Sequence, residues 1–489
     1  MPWLLFFVLI HAVNGQSLAD KVDALVAEST LLQQSHWGAK LVQSTSGRVL
    51  YSRNENSHFI PASNTKLFST ALALARLGSQ HRLATRVVAS RPLQDGVLAG
   101  DLRLVGGGDP TLSGRPLPYR YRAPYGPALS ALEELVEQLW QGGLRRVTGD
   151  IVGDDSAYYY EPYPEGWSVD DTLFDYGAPV SALILHDNAF TVRIEGAGTP
   201  GISARLSLDP PNAYLSLHNM VRTATAPPHR IYMDRTPGSR SVELWGSIRP
   251  SAVRALDAAV DDPARYAAFA LREALQRRGI QVDGGFQARH RSLSQGSWTA
   301  NSDGEVELAR RASPPLSQLV QVTNKVSQNL WAEICLREVA RVRGTEPSRK
   351  GGLEQLDQFL SEIGVGKKEY RFEDGSGLSR LTLVTPAAIT RLLGYMDKST
   401  EQQAWVESLP VGGEDGSLAL RFKEKNAPAG VVRAKTGTIS HVTALSGYLD
   451  TERGERLIFS VVVNNANDSA SEIRRWVDKL VLLFLSAGV

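Results

Sequence analysis

At 489 residues the chain exceeds what one ordinary hydrophobic core holds, so two or three domains are expected. Its composition, 42% hydrophobic and 21% charged, is globular, and 53 Lys and Arg against 52 Asp and Glu leave no overall field to favour nucleic acid or an anionic membrane. The single cysteine, Cys335 in "WAEICLREVA", excludes an internal disulfide and reads as a core thiol; nine histidines without an H-x-x-x-H or H-E-x-x-H pattern call for no zinc site, and nothing calls for a cofactor.

The opening "MPWLLFFVLIHAVNGQS" holds an apolar run from Trp3 to Val13 that is too short to span a bilayer. It reads as a secretory signal over residues 1–15, cut after Gly15 to leave Gln16 first, although no Lys or Arg precedes the run. An uncleaved buried segment or an anchor is the alternative. Ser17 and Asp20 then mark a helix start, with Val22, Leu25 and Val26 as its apolar face through about Leu32. "WGAKLVQ", the turn "STSG" and "RVLYS" form a hairpin, and "PASNTKLFSTALALARLG" runs from a loop into a buried helix. From Arg82 to about Ala300, short apolar runs broken by Gly, Pro and Asp read as β-rich. Two consecutive buried helices follow in "SPPLSQLVQVTNKVSQNLWAEICLREVARV". The end is three strands in hairpin order, "GVVRAKTGTI", "VTALSGYLD" and "RLIFSVVVNN", and a last helix from Glu472 to about Leu485. The two ends pair naturally into one sheet covered by helices, with the β-rich middle as an insertion, so the core domain is discontinuous.

Three short motifs carry chemistry. Ser63 and Lys66, three apart at a helix start, share a face; a neutral lysine can take the serine proton, and the helix N-terminus favours a developing oxyanion. Alone, that spacing is weak evidence, and an exposed cap and a surface lysine are the preferred reading. Ser327-Gln328-Asn329, between the two later helices, offers a hydroxyl for proton relay and an amide to hold a peptide, or simply a polar junction cap. Lys435-Thr436-Gly437-Thr438 reads as a strand in which Lys435 adds a second cation, Thr436 and Thr438 donate to a carboxylate, and Gly437 lets substrate approach the backbone. A strand-end turn is the plainer reading. His441, just beyond, reads as a rim residue, and "GGGDP" lacks the Lys-Ser/Thr of a phosphate loop.

The conjunction, Ser-x-x-Lys opening a helix, Ser-x-Asn between helices and Lys-Thr-Gly on a late strand, is the set of penicillin-binding proteins and serine β-lactamases. With "LVGGGDPTL", "GDIVGDDSAY", "DGSGLSR", "LPVGGEDGSL" and "AKTGTISHVTALSGY", nearly the whole chain after the leader resembles a class C low-molecular-weight penicillin-binding protein, a D-alanyl-D-alanine carboxypeptidase and endopeptidase family. The middle residue of the second motif is Gln328 where related enzymes frequently have aspartate.

The resemblance implies an α+β, serine-β-lactamase/transpeptidase-like catalytic domain (16–82 and 307–489), interrupted by a β-rich insertion of two nested domains, 83–108 with 197–306 and, within it, 109–196. It assigns Ser63 as the acyl-enzyme nucleophile, Lys66 as its base, Ser327 and Asn329 to proton relay and substrate holding, and Lys435, Thr436, Gly437 and Thr438 to the far wall. The oxyanion hole would use the backbone N–H groups of Ser63 and Thr438. Arg380 is a candidate for the substrate's terminal carboxylate, with a structural ion pair as the alternative, and Asp154 for an amino group on the peptide stem, with a turn-capping role as its alternative. The implied substrate is the peptidoglycan stem peptide, with β-lactams as covalent inhibitors, in the periplasm or envelope of a bacterium and with peripheral wall or membrane association. A serine β-lactamase and a non-catalytic wall-binding protein of the same fold are the rival readings.

Overall fold

The computed structural model describes residues 17–295, 305–344, 346–423, 429–467 and 469–485. The expected leader and its cut lie outside the described residues. The chain enters through α1 (Leu18–Ala27), started by the anticipated capping box: the Asp20 N–H donates to Ser17 Oγ at 3.2 Å and the Ser17 N–H to the Asp20 carboxylate at 3.0 Å. The apolar face continues into a separate short helix, Thr30–Gln34.

The hairpin follows as β1 (His36–Gln43) and β2 (Val49–Arg53), then α2 (Thr65–Leu77), the serine-bearing helix. After the insertion come α3 (Leu316–Lys325), α4 (Asn329–Val342) and α5 (Pro386–Met396). The chain closes with β3 (Val432–Ile439), β4 (Val442–Asp450), β5 (Arg456–Asn464) and α6 (Ala470–Leu485). The five strands form one antiparallel sheet in the order β3-β4-β5-β1-β2, joining the two ends of the sequence as expected.

Strand alternation sends side chains to two buried layers. Leu445, Phe459 and Val461 pack with Val22, Trp476, Val477 and Phe484 under α1 and α6. Ala444, Tyr448 and Val462 pack on the other face with Phe68, Leu72, Trp331 and Leu392 of the helical layer. Cys335 is buried in that layer, and burial pushes its thiol up to about 12.

The insertion is richer in helix than its texture indicated. Its main sheet runs in the order Phe286–Arg291, Ile151–Tyr159, Leu102–Gly106, Ala84–Ala89, Val306–Ala312 and is covered by the helices Ser130–Gln141 and Pro263–Arg278. Inside it, residues 189–259 supply two three-stranded sheets. Pairing therefore cuts across the expected boundaries. Ile151–Tyr159, assigned to the nested 109–196, is a central strand of the outer sheet, and Val306–Ala312 pairs with Ala84–Ala89, carrying the insertion to 312. The insertion is bound to the catalytic helices: Tyr158, Val180, Ala182 and Ile184 join their apolar cluster, Tyr158 Oη donates to Glu338 at 2.9 Å, and Trp331 Nε1 donates to Asp187 at 2.9 Å.

Candidate active site

Ser63 sits in a single turn, Ala62–Asn64, that leads into α2. Ala62 is held at φ +48°, a conformation costly for a residue with a Cβ, and its surroundings enforce it. The Asn64 amide donates to Ser446 Oγ at 2.7 Å, fastening the turn to the sheet. Gly437 of β3 lies so close that a Cβ there would stand 2.6 Å from the Pro61 carbonyl oxygen. The close approach seen at that glycine is to the turn that carries Ser63; the sequence had pointed to close approach of substrate.

One helical turn on, Lys66 has no exposed surface. Its Nζ lies 2.8 Å from Ser63 Oγ, 2.6 Å from Asn329 Oδ1 and 2.6 Å from the Ser376 carbonyl oxygen. The last two are acceptors only; an uncharged amine gives them its two hydrogens and keeps its lone pair for the Ser63 hydroxyl. Burial favours that form, drawing the Lys66 pKa down to about 7 against the opposing pull of the Asp374 and Glu333 carboxylates.

Ser327, at φ +64° in the break between α3 and α4, accepts from Lys435 Nζ at 2.9 Å; the same amine donates to the Thr436 carbonyl at 2.9 Å. Lys435 is fully buried, and burial, with the charge of Lys66 second, pushes it well below the usual lysine range. The Thr436 hydroxyl shares a hydrogen bond of 2.8 Å with Ser417, and Thr438 is exposed on the sheet's open edge. Asn329 bridges two domains, accepting from Lys66 and donating through Nδ2 to the Tyr176 carbonyl of the insertion at 2.7 Å.

Arg380 is exposed and donates to the Ser440 carbonyl, just past Thr438, at 3.3 Å. Among the described residues no carboxylate pairs with it. Asp154 stands apart: it is 2% exposed within the insertion's main sheet, with ion pairs to Arg103 at 3.2 Å and Arg289 at 3.6 Å and a hydrogen bond from the Ser156 N–H at 3.0 Å. Asp154 lies in a strand and its carboxylate is already engaged by these partners, in place of the free carboxylate that the resemblance calls for. His441 holds a turn at φ +66°, its Nδ1 3.0 Å from the Ala466 carbonyl.

Several supporting residues had no signature in the spacing. Glu333 accepts the N–H groups of Gly375 and Ser376 at 2.8 and 2.9 Å and pairs with the buried Arg337 at 2.8 Å, fixing the carbonyl that receives Lys66. Asp374 gathers the same loop, accepting from Ser376 Oγ, the Gly377 and Ser379 N–H groups and Trp167 Nε1 of the insertion.

Residues 18–482 match the model of the D-Ala-D-Ala carboxypeptidase 3 (S13) family. The chain belongs to this family. A D-alanyl-D-alanine carboxypeptidase of Actinomadura sp. (strain R39) is 34% identical over 468 residues, covering 93% of this chain and 82% of the relative. D-alanyl-D-alanine carboxypeptidase DacB of Haemophilus influenzae is 26% identical, covering 88% and 85%. The crystal structure of penicillin binding protein 4 (dacB) from Haemophilus influenzae superposes with a TM-score of 0.78 at 23% identity, over 95% of this chain and 98% of that one. Family membership makes this chain a serine-type D-Ala-D-Ala carboxypeptidase of the transpeptidase-like fold.

Proposed function

We propose that the acyl-enzyme of this penicillin-sensitive D-Ala-D-Ala carboxypeptidase forms on Ser63. Lys66 takes the hydroxyl proton as Oγ attacks the carbonyl between the two D-alanines. The oxyanion rests on the backbone N–H groups of Ser63 and Thr438. The C–N bond then breaks and the departing amine is protonated through Ser327, resupplied from the Lys66–Lys435 pair. Thr436, Thr438 and Arg380 receive the terminal carboxylate, whose charge beside Lys435 would draw that amine back toward its protonated form. Asn329 holds the stem backbone and Lys66 together. Water releases the acyl group, and a β-lactam acylates the same serine because its strained amide presents the same carbonyl.

The observation that carries this reading is the Lys66 amine, fully buried between two carbonyl-type acceptors and the Ser63 hydroxyl. The same chemistry on a D-amino bond to a cross-bridge makes the enzyme an endopeptidase. A place in the periplasm or envelope of a bacterium belongs to this proposal, supported by the family's substrate. No described helix is long and apolar enough to cross a membrane. The test is D-alanine release from a peptide ending in D-Ala-D-Ala: the parent chain releases it and Ser63→Ala does not, whereas release by the variant refutes the assignment. A penicilloyl-enzyme that lasts hours supports the peptidase; one lost in milliseconds supports a β-lactamase.

A further inference from the structure

Beside Ser327 opens a cleft of about 380 Å³, far larger than one departing alanine requires. One wall is catalytic: Val326 precedes Ser327, and Ser417 shares its hydrogen bond with Thr436. The other wall is the insertion segment 115–125, "RPLPYRYRAPY", fastened where the Gly416 N–H donates to Tyr119 Oη at 3.2 Å. Its cations differ in what they do. Arg115 is held by Asp187, and Lys325 by Asp415 at 2.6 Å. Arg120 and Arg122 are exposed, and neither has a carboxylate partner among the described residues; the Arg122 guanidinium lies over the Tyr121 ring at 5.2 Å.

We infer that this cleft is the leaving-side subsite for a carboxylate-bearing peptide, the second stem of a cross-link. The inference rests on the proposed function, because protonation of the departing amine through Ser327 is what puts the leaving group on this side of Ser63. When a cross-link is cut, the departing amine remains attached to a whole stem peptide with free carboxylates. Two uncompensated guanidinium groups on a fastened loop match that chemistry; their planar donors suit carboxylates, and the tyrosines give the peptide an amphipathic surface to lie on. A lone D-alanine, by contrast, is fully served by the Thr436, Thr438 and Arg380 wall and has no use for cations this far out.

The experiment compares the full chain with a variant carrying Arg120→Glu and Arg122→Glu on three substrates: a cross-linked stem-peptide dimer, a single stem ending in D-Ala-D-Ala, and benzylpenicillin. The dimer's kcat/KM is expected to fall about tenfold, mainly through KM, while D-alanine release and acylation change by less than about twofold. Lysine at both positions should restore most of the dimer activity. Amidating the second stem's carboxylates should impose the same loss on the parent and none further on the variant. Equal losses on all three substrates, unchanged dimer cleavage, or a parent that releases D-alanine yet leaves the dimer intact overturns the subsite. A parent that neither releases D-alanine nor takes up penicillin overturns instead the function on which it rests.

Discussion

An amine with no exposed surface, two carbonyl-type oxygens at 2.6 Å and a hydroxyl at 2.8 Å leaves its lone pair on the hydroxyl only when it is uncharged. With the Lys66 pKa near 7, the rate of acylation by penicillin should rise through neutrality and level off above it; a profile flat from mildly acidic to mildly alkaline pH contradicts the role. Lys66→Met should slow acylation by about 10²–10⁴-fold, the usual contribution of a positioned base. It should also change the pH dependence of stability. The folded-state pKa lies below the unfolded value of 10.5, so between about 7 and 10.5 the unfolded chain binds more protons and the parent gains stability as pH rises. The Tm advantage of Lys66→Met over the parent should therefore shrink across that window. At this scale the side chains that meet here, Ser63 with Lys66 and Asn329, and Ser327 with Lys435, were legible as candidates because each motif is local in sequence. Glu333 and Tyr176 were not, because they act through contacts with backbone groups, and Asp374, within "DGSGLSR", gave no sign that it ties its own loop to Trp167 of the insertion. The stem-amine role of Asp154 came from the resemblance alone, and no local pattern showed that Arg103 and Arg289 would pair with its carboxylate within the insertion's sheet.

Elements were legible where both a period and end signals stood in view. The capping box of α1, the hairpin of β1 and β2 and the final three strands follow their sequence patterns directly. Two helices of the insertion were missed although their signals are present: Leu132, Leu135, Val136 and Leu139 at helical spacing in one, and Asp262 at the N-cap, Pro263 next and Gly279 at φ +93° in the other. Neighbouring Gly- and Asp-broken strands had lent the whole region a β texture. At the contact between β3 and the nucleophile turn, Gly437→Ala should displace the Pro61 carbonyl and cost about 1–3 kcal/mol, read as a lower Tm, with slower acylation. Within the insertion, His290 lies 3.0 Å from Asp155 of a strand and 3.3 Å from Asp262 of a helix cap. Burial opposes its charge, but the two carboxylates outweigh burial and hold it up at about 10. Its stabilising contribution is thus complete below about 6.5 and lost as pH rises through 10. His290→Gln should lower Tm at neutral pH and converge with the parent above pH 10; an equal deficit at every pH would contradict this clamp.

Across the whole molecule, the discontinuous catalytic domain was legible because its two ends carry complementary halves of one sheet. The insertion's internal boundaries were not, since which short strand pairs with which is decided by crossovers that leave no local trace. The two units share structure: Tyr158 and Ile184 lie in the catalytic helical cluster, and Asn329, Trp331, Asp374 and Glu338 each hydrogen bond to the insertion. Calorimetry should accordingly show one unfolding transition, displaced as a unit in the penicilloyl-enzyme; two transitions, only one of them displaced, would show that the insertion folds independently. The most direct test of the central claim is intact-mass and peptide-mapping mass spectrometry after exposure to benzylpenicillin. A single penicilloyl group on Ser63 of the parent, absent from Ser63→Ala, is the predicted result. An adduct on another residue, or one that survives in Ser63→Ala, contradicts the account.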